Sequence, residues 1–248
     1  MKAVWIMFLF LLPCFTIAQD AAEILKKAEA LEAVPDEKAA LDQYKALLQI
    51  KPNDVHALSK CSELCSRIGN RQADSKARDN YYAWAKNYAV AALKINAASS
   101  EANCAMAIAL GRMALTKSSK EKLNSARQIK QYTDIALQQD ANNYKAWHVL
   151  GKWHYELSIL SMLERTIVKV FFGGLPKASI NESVAAYETA LKLSPGFIMN
   201  YLELAKAYRQ AGEKQKAIAT INAMLPLPNR TEDDAAIKEE GRALLRQW

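Results

Sequence analysis

Trp147-His-Val-Leu-Gly-Lys-Trp-His-Tyr155, followed later by Ser183, Tyr187, Ala190 and Pro195, is the stretch that decides the fold. Trp147, Leu150, Gly151 and His154 stand three and four apart, the spacing that gathers side chains on one face of an α-helix. Ser183, Tyr187 and Ala190 mark a second helix, and Pro195 closes it. Two helices joined in this way cannot bury their apolar stripes alone. They need neighbours of the same kind.

The chain supplies them. Ile24, Ala28 and Leu31 precede Pro35, and Ala40, Tyr44 and Leu47 precede Pro52. The small residues Ala28 and Ala40 let two helices approach, with Tyr44 filling the space beside them. Leu58, Cys61, Ser62 and Cys65 pair with Ala85, Ala89 and Ala92; Asn103, Met106, Ala107 and Leu110 pair with Ile129, Thr133 and Ala136. Tyr201, Leu204, Ala205 and Tyr208 lead through Gly212 to Ala217, Ile221 and Met224. Each unit resembles a tetratricopeptide (TPR) helix pair. The expected architecture is all-α: a TPR-like α-solenoid of about five helix pairs. The units fall at about 20–54, 55–99, 100–143, 144–197 and 198–230, and a capping helix occupies 231–248. Repeat ends at Pro52, Ala97, Ala141 and Pro195 are 45, 44 and 54 residues apart, against a TPR period of 34. The three middle repeats are therefore lengthened, and the excess is expected between the two helices of each unit.

The longest insertion, Ser158–Gly174, reads SILSMLERTIVKVFFGG. Helix is expected to run on to about Phe172 and to end at Gly173-Gly174. Its apolar residues either pack on neighbouring helices or make a partner or membrane-surface contact, a docking patch for which Phe171 and Phe172 are the candidates. Ser179 and Glu182 form a capping box for the next helix. Thr231-Glu232-Asp233-Asp234 gives the last helix an acidic start that suits its dipole.

The 248 residues carry 33 Lys and Arg against 26 Asp and Glu, a net charge of +7, with the lysines spread along helices. At the N-terminus, Lys2 precedes the apolar run Ala3–Leu12, then Pro13 and the exit Thr16-Ile17-Ala18. That pattern is a signal peptide over 1–18, so the expected destination is export, in a bacterium the periplasm. An uncleaved membrane anchor over residues 3–18 is the rival reading. The three cysteines beyond that point, Cys61, Cys65 and Cys104, are an odd number. Cys61 and Cys65 fall on the apolar stripe, as buried small side chains do.

Motifs for catalysis, metals or cofactors are missing from the chain, so no enzyme activity and no cofactor are expected. His148 and His154 are six apart, which does not put two metal ligands on one helical face. His154 is expected in the core beside Trp147, and Trp84, Trp147 and Trp153 are expected to pack. No basic and aromatic interleaving points to nucleic acid. One pattern does point to binding. Lys145, His148, Lys152 and Tyr155 occupy the stripe beside the core stripe of the fourth unit, and Met199, Leu202, Lys206 and Arg209 the equivalent stripe of the fifth. In a TPR stack these first helices line the concave side. Four cations with two rings and two apolar residues suit a carboxylate-bearing protein or peptide. The same stripe of the first unit is Ala22, Leu25, Glu29 and Glu32, so the groove is expected to run from acidic to basic.

The stretch Trp147–Tyr155, Leu160-Ser-Met-Leu-Glu164, Phe172-Gly173 and Pro176 resembles the regulator of microtubule dynamics family. So do Tyr201-Leu-Glu-Leu-Ala-Lys-Ala-Tyr208 and Leu225-Pro-Leu-Pro-Asn-Arg-Thr-Glu-Asp-Asp234. The likeness covers roughly residues 37–248. It implies an all-helical TPR-like protein without catalytic activity, whose animal members associate with microtubules, spindle poles and mitochondria; it carries no binding residues over. Three readings stand side by side: an exported adaptor that binds a protein or peptide in its concave groove, a microtubule-associated regulator, and an envelope assembly part docking through 159–172.

Overall fold

The computed structural model describes residues 12–115, 119–161, 166, 174 and 177–248. Among them are eleven α-helices and no strand. They are α1 (Leu12–Glu32), α2 (Glu37–Ile50), α3 (Val55–Asn70), α4 (Ser75–Ile95), α5 (Ser100–Ala114) and α6 (Ser119–Gln139), then α7 (Tyr144–Ser158), α8 (Ile180–Leu193), α9 (Ile198–Gln210), α10 (Lys214–Met224) and α11 (Asp234–Gln247). Consecutive helices pack as antiparallel pairs, α1 with α2 through α9 with α10, and each pair stacks on the next; α11 closes the array against α9 and α10. Among the described residues no helix is long and apolar enough to cross a membrane. Both readings of the N-terminus rest mainly on residues 1–11, outside the described part.

The repeat is visible in its joints. Between units the chain makes the same four-residue turn each time, closed by Asp54 N–H to Lys51 O (3.1 Å), Ser99 to Asn96 (3.1 Å), Asn143 to Asp140 (3.2 Å) and Phe197 to Ser194 (3.1 Å). The last residue of the first three turns then caps the following helix. Asp54, Ser99 and Asn143 accept from the amides of Ala57, Ala102 and Ala146, each such cap being worth about 1 kcal/mol. Inside the pairs, Ala28, Ala40 and Tyr44 are all fully buried. A Cβ at Gly151 would sit 2.7 Å from the Tyr187 ring, so this close crossing admits no side chain there. Gly212, at φ +85°, makes the turn between α9 and α10 in a conformation other residues adopt only with strain.

The lengthened repeats differ from the expectation. The turn joining α3 and α4 is only residues 71–74, and the extra residues of the second unit extend α4 to 21 residues; α6 is also 21 residues long. Residues 75–84 contain no Pro or Gly, and Asp74 caps them by accepting from Ala77 N–H at 2.6 Å, so the helix starts early. In the fourth unit α7 ends at Ser158, where Ser158 Oγ bonds Tyr155 O, instead of running on to Phe172. Phe171 and Phe172 lie outside the described residues. Gly174 has φ +89°, and the capping box follows as expected: Ser179 Oγ accepts from Glu182 N–H at 3.2 Å and meets its carboxylate at 3.1 Å.

Two side chains, Trp84 and His154, fall elsewhere than expected, and Asp234 in the acidic start of α11 takes a buried place. Trp84 is 47% exposed, touching Tyr81 edge-on. His154 is buried against Trp153, not Trp147. Asp234 is buried and accepts from the amides of Arg230 and Thr231, which frees Glu232 and Asp233 for a distant partner. Cys61, Cys65 and Cys104 are buried free thiols, and burial pushes the first two up to about 12.

Candidate functional site

The first helices of the units, α1, α3, α5, α7 and α9, present a charged face whose side chains reach one another across the array. On α3 and its C-terminal cap, Lys60, Glu63, Arg67 and Arg71 are three or four residues apart and therefore share one stripe. Lys60 pairs with Glu32 of α1 at 2.8 Å, and Glu32 also accepts from the Tyr44 hydroxyl at 2.7 Å. Glu63 bonds Lys145 of α7 across the intervening third unit. That reach is possible because α5 places small residues there: Cys104 and Ala105 are buried, and the Cys104 thiol lies in the field of both Glu63 and Lys145.

The structure brings seven of the eight candidate groove residues into internal contacts. Burial opposes the Lys145 charge, but Glu63 overrides it and raises the lysine pKa; reciprocally, burial raises Glu63 while Lys145 and Lys60 bring it below the usual carboxylate value. Lys152 pairs with Glu203 at 2.7 Å and Glu156 at 3.0 Å, and Lys206 with Glu240 at 2.7 Å and Glu203 at 3.2 Å. Tyr155 lies 5.6 Å from the Lys152 ammonium. His148 Nδ1 is 3.0 Å from Asn200 Oδ1, its ring edge-on to Phe197, and burial lowers its pKa. Leu202 is buried with Ile237 of the cap, and Met199 packs on the same cluster. Arg209 is exposed at the end of α9 and enters none of these pairs. The acidic stripe of the first unit and the basic stripe of the fourth thus face α3, which carries both signs.

The strongest cluster was not among the sequence candidates. Glu37, the first residue of α2, is fully buried. Its carboxylate accepts from Arg67 Nε at 2.9 Å and from Arg71 Nη2 at 2.6 Å. Arg71 also meets Glu232 and Asp233, each at 3.1 Å, and the amide of Glu37 donates to Glu232 at 3.0 Å. The entrance to the cap is therefore fastened to the first unit, 195 residues away in sequence. Burial acts to raise Glu37, but the two guanidiniums hold its carboxyl below the usual range. The available signal was the polar stripe of α3, Arg67 and Arg71 one turn apart; nothing local announces that Glu37 is buried. Among the described residues no His, Cys, Asp and Glu are grouped to hold a metal.

Stacked antiparallel helix pairs with a charged inner face define a TPR-like α-solenoid. A thermophilic TPR protein from Thermus thermophilus superimposes with a TM-score of 0.66 over 91% of this chain and 99% of its own, at 15% identity. The sequence profile of regulator of microtubule dynamics protein 1-3 matches residues 24–248. The chain belongs to that family. Regulator of microtubule dynamics protein 1 of Caenorhabditis elegans is 27% identical over 187 residues, covering 75% of this chain and 80% of the worm protein. The Bos taurus protein 1 is 27% identical over 228 residues, covering 90% of this chain and 71% of its own.

Proposed function

We propose that the chain is a non-enzymatic interaction scaffold that takes a protein or peptide on its concave side, and that residues 1–18 direct it out of the cell, in a bacterium to the periplasm. The observation carrying the reading is that five successive first helices contribute charged side chains to one face, a surface suited to reading an extended partner's charges. Because Lys145, Lys152 and Lys206 already hold carboxylates, a partner binds there by exchanging with internal ion pairs. That gives selectivity for acidic segments at a modest gain in affinity. The test is a photo-crosslinker placed at Arg209, inside, and at Trp84, outside. A defined protein captured only from position 209 is the expected result; capture only from position 84 refutes the groove. The N-terminal residue of the native protein reports on export, for which a start at Gln19 is expected.

Family membership and the net charge of +7 favour a second reading, contact with microtubules. It predicts co-sedimentation with microtubules that salt weakens. The docking role of 159–172 is tested by replacing Phe171 and Phe172 with serine, which under that reading removes a partner and leaves the fold intact.

A further inference from the structure

The cations of α3 and α7 that face the array are neutralised within it, but at the edge where α3, α4 and α5 meet two guanidiniums are not. Arg112, near the end of α5, donates from Nη1 to the Asn70 side-chain oxygen at 2.9 Å and has no carboxylate within ion-pair distance among the described residues. Arg78, in the first turn of α4, has a buried Nε without a hydrogen-bond partner and likewise enters no ion pair there. Tyr82, 2% exposed, is close enough to both that its hydroxyl, whose pKa burial raises, feels the two positive charges, opposed by Asp79. Arg112 pays for its burial: loss of water depresses its pKa, and the fields of Tyr82, Asp233 and Glu203 offset this only in part. A desolvated cation without a counter-ion destabilises the fold, and an incoming anion removes that cost.

The chain itself shows which anion this edge accepts. Arg71, at the end of α3 beside Asn70, holds the consecutive carboxylates of Glu232 and Asp233. Those carboxylates, with Glu203 and Asp79, make the surroundings unfavourable for a dianion, so a singly charged group is preferred. We propose that Arg78, Tyr82 and Arg112 form the receiving site for a side-chain carboxylate of an acidic segment in a partner protein, continuing the row in which Arg71 already holds the chain's own acidic pair. The site rests on the scaffold reading and supplies its partner chemistry: two forked donors and a phenol take a carboxylate in a fixed orientation.

The experiment uses the full chain and a fluorescein-labelled peptide, Gly-Thr-Glu-Asp-Asp-Gly, beside its neutral counterpart Gly-Thr-Gln-Asn-Asn-Gly, read by anisotropy. Saturable binding of the acidic peptide is expected, at least about ten-fold tighter than the neutral one and weakened by salt. Arg78→Gln with Arg112→Gln should weaken it about ten-fold without lowering the thermal midpoint, since neither side chain holds a structural ion pair. Equal binding of the two peptides overturns the proposal. So does binding that survives the double variant and is lost in Arg71→Gln, which would mean displacement of Glu232 and Asp233. Saturable binding of inorganic phosphate with none of the peptide also overturns it. If the double variant unfolds, Arg112→Lys keeps the charge and loses the fork, and unchanged peptide affinity in that variant sinks the site. A cross-link at position 209 retained by the double variant leaves the scaffold standing without this site. Loss of that cross-link in the parent chain, with peptide binding intact, removes the scaffold reading alone.

Discussion

The two ends of the charged face hold their carboxylates in different ways. Toward the N-terminus, Glu37 is fully buried and gripped by two guanidiniums, which are themselves less than a quarter exposed. Toward the C-terminus, Glu203 is shared by two ammonium groups, and the Lys152 side chain is 43% exposed. The rigid fork of arginine fixes a carboxylate in place, whereas a lysine can swing back into water. The first arrangement fastens the ends of the array together; the second can be opened by a competing anion.

Three measurements sharpen or break that contrast. Glu37→Ala should have the largest effect. It strands Arg67 and Arg71 and releases Glu232, and removing one member of a buried pair costs about 3–5 kcal/mol, measurable by urea unfolding. Separate transitions for the first unit and the cap are expected as the fastening is lost. Glu203→Gln should cost less, about 1–3 kcal/mol, because Lys152 keeps Glu156 and Lys206 keeps Glu240 as partners. If the two substitutions cost the same, the contrast between the ends is wrong.

The smallest effect is the pH dependence of His148. Its folded pKa lies below the unfolded value through burial, against the pull of Asn200 and Glu203 and with Lys152 and Arg112 adding to the decrease. A depressed folded pKa gives stability that is complete above the unfolded value, near 6.5, and is lost as pH falls through the folded one. The His148 contribution should therefore fall as pH drops below about 6.5, together with that of His154, whose pKa burial also lowers, and against that of His56, whose pKa Glu101 raises. His148→Phe should flatten that decline. An unchanged profile would show that the imidazole is not desolvated as the packing implies.

Much of the ladder was legible from spacing alone. Tyr44 beside Ala28 and Ala40, the Ser179–Glu182 box and Gly212 at its turn each express a preference acting within one helix pair. The same locality explains what went astray. A count of residues shows that the middle units are longer than a plain repeat, but not that α4 and α6 take the excess as helix, because length alone does not say whether a segment winds or loops. Spacing puts Lys145, His148 and Lys152 on one stripe of α7 and Lys206 on the equivalent stripe of α9. Their partners Glu63, Asn200, Glu203 and Glu240 come from other units, and no local pattern names them.

The sequence by itself determined that the chain is helical, that it is built of repeated pairs, and where those pairs join, because caps, turns and apolar stripes act between neighbours. Only the tertiary structure decided that Glu37 meets Glu232, that Glu63 reaches Lys145, and that Arg112 is left without a counter-ion among the described residues. In a solenoid the small rotation from each repeat to the next accumulates into the curvature of the whole, and charge pairing across that curve depends on the sum.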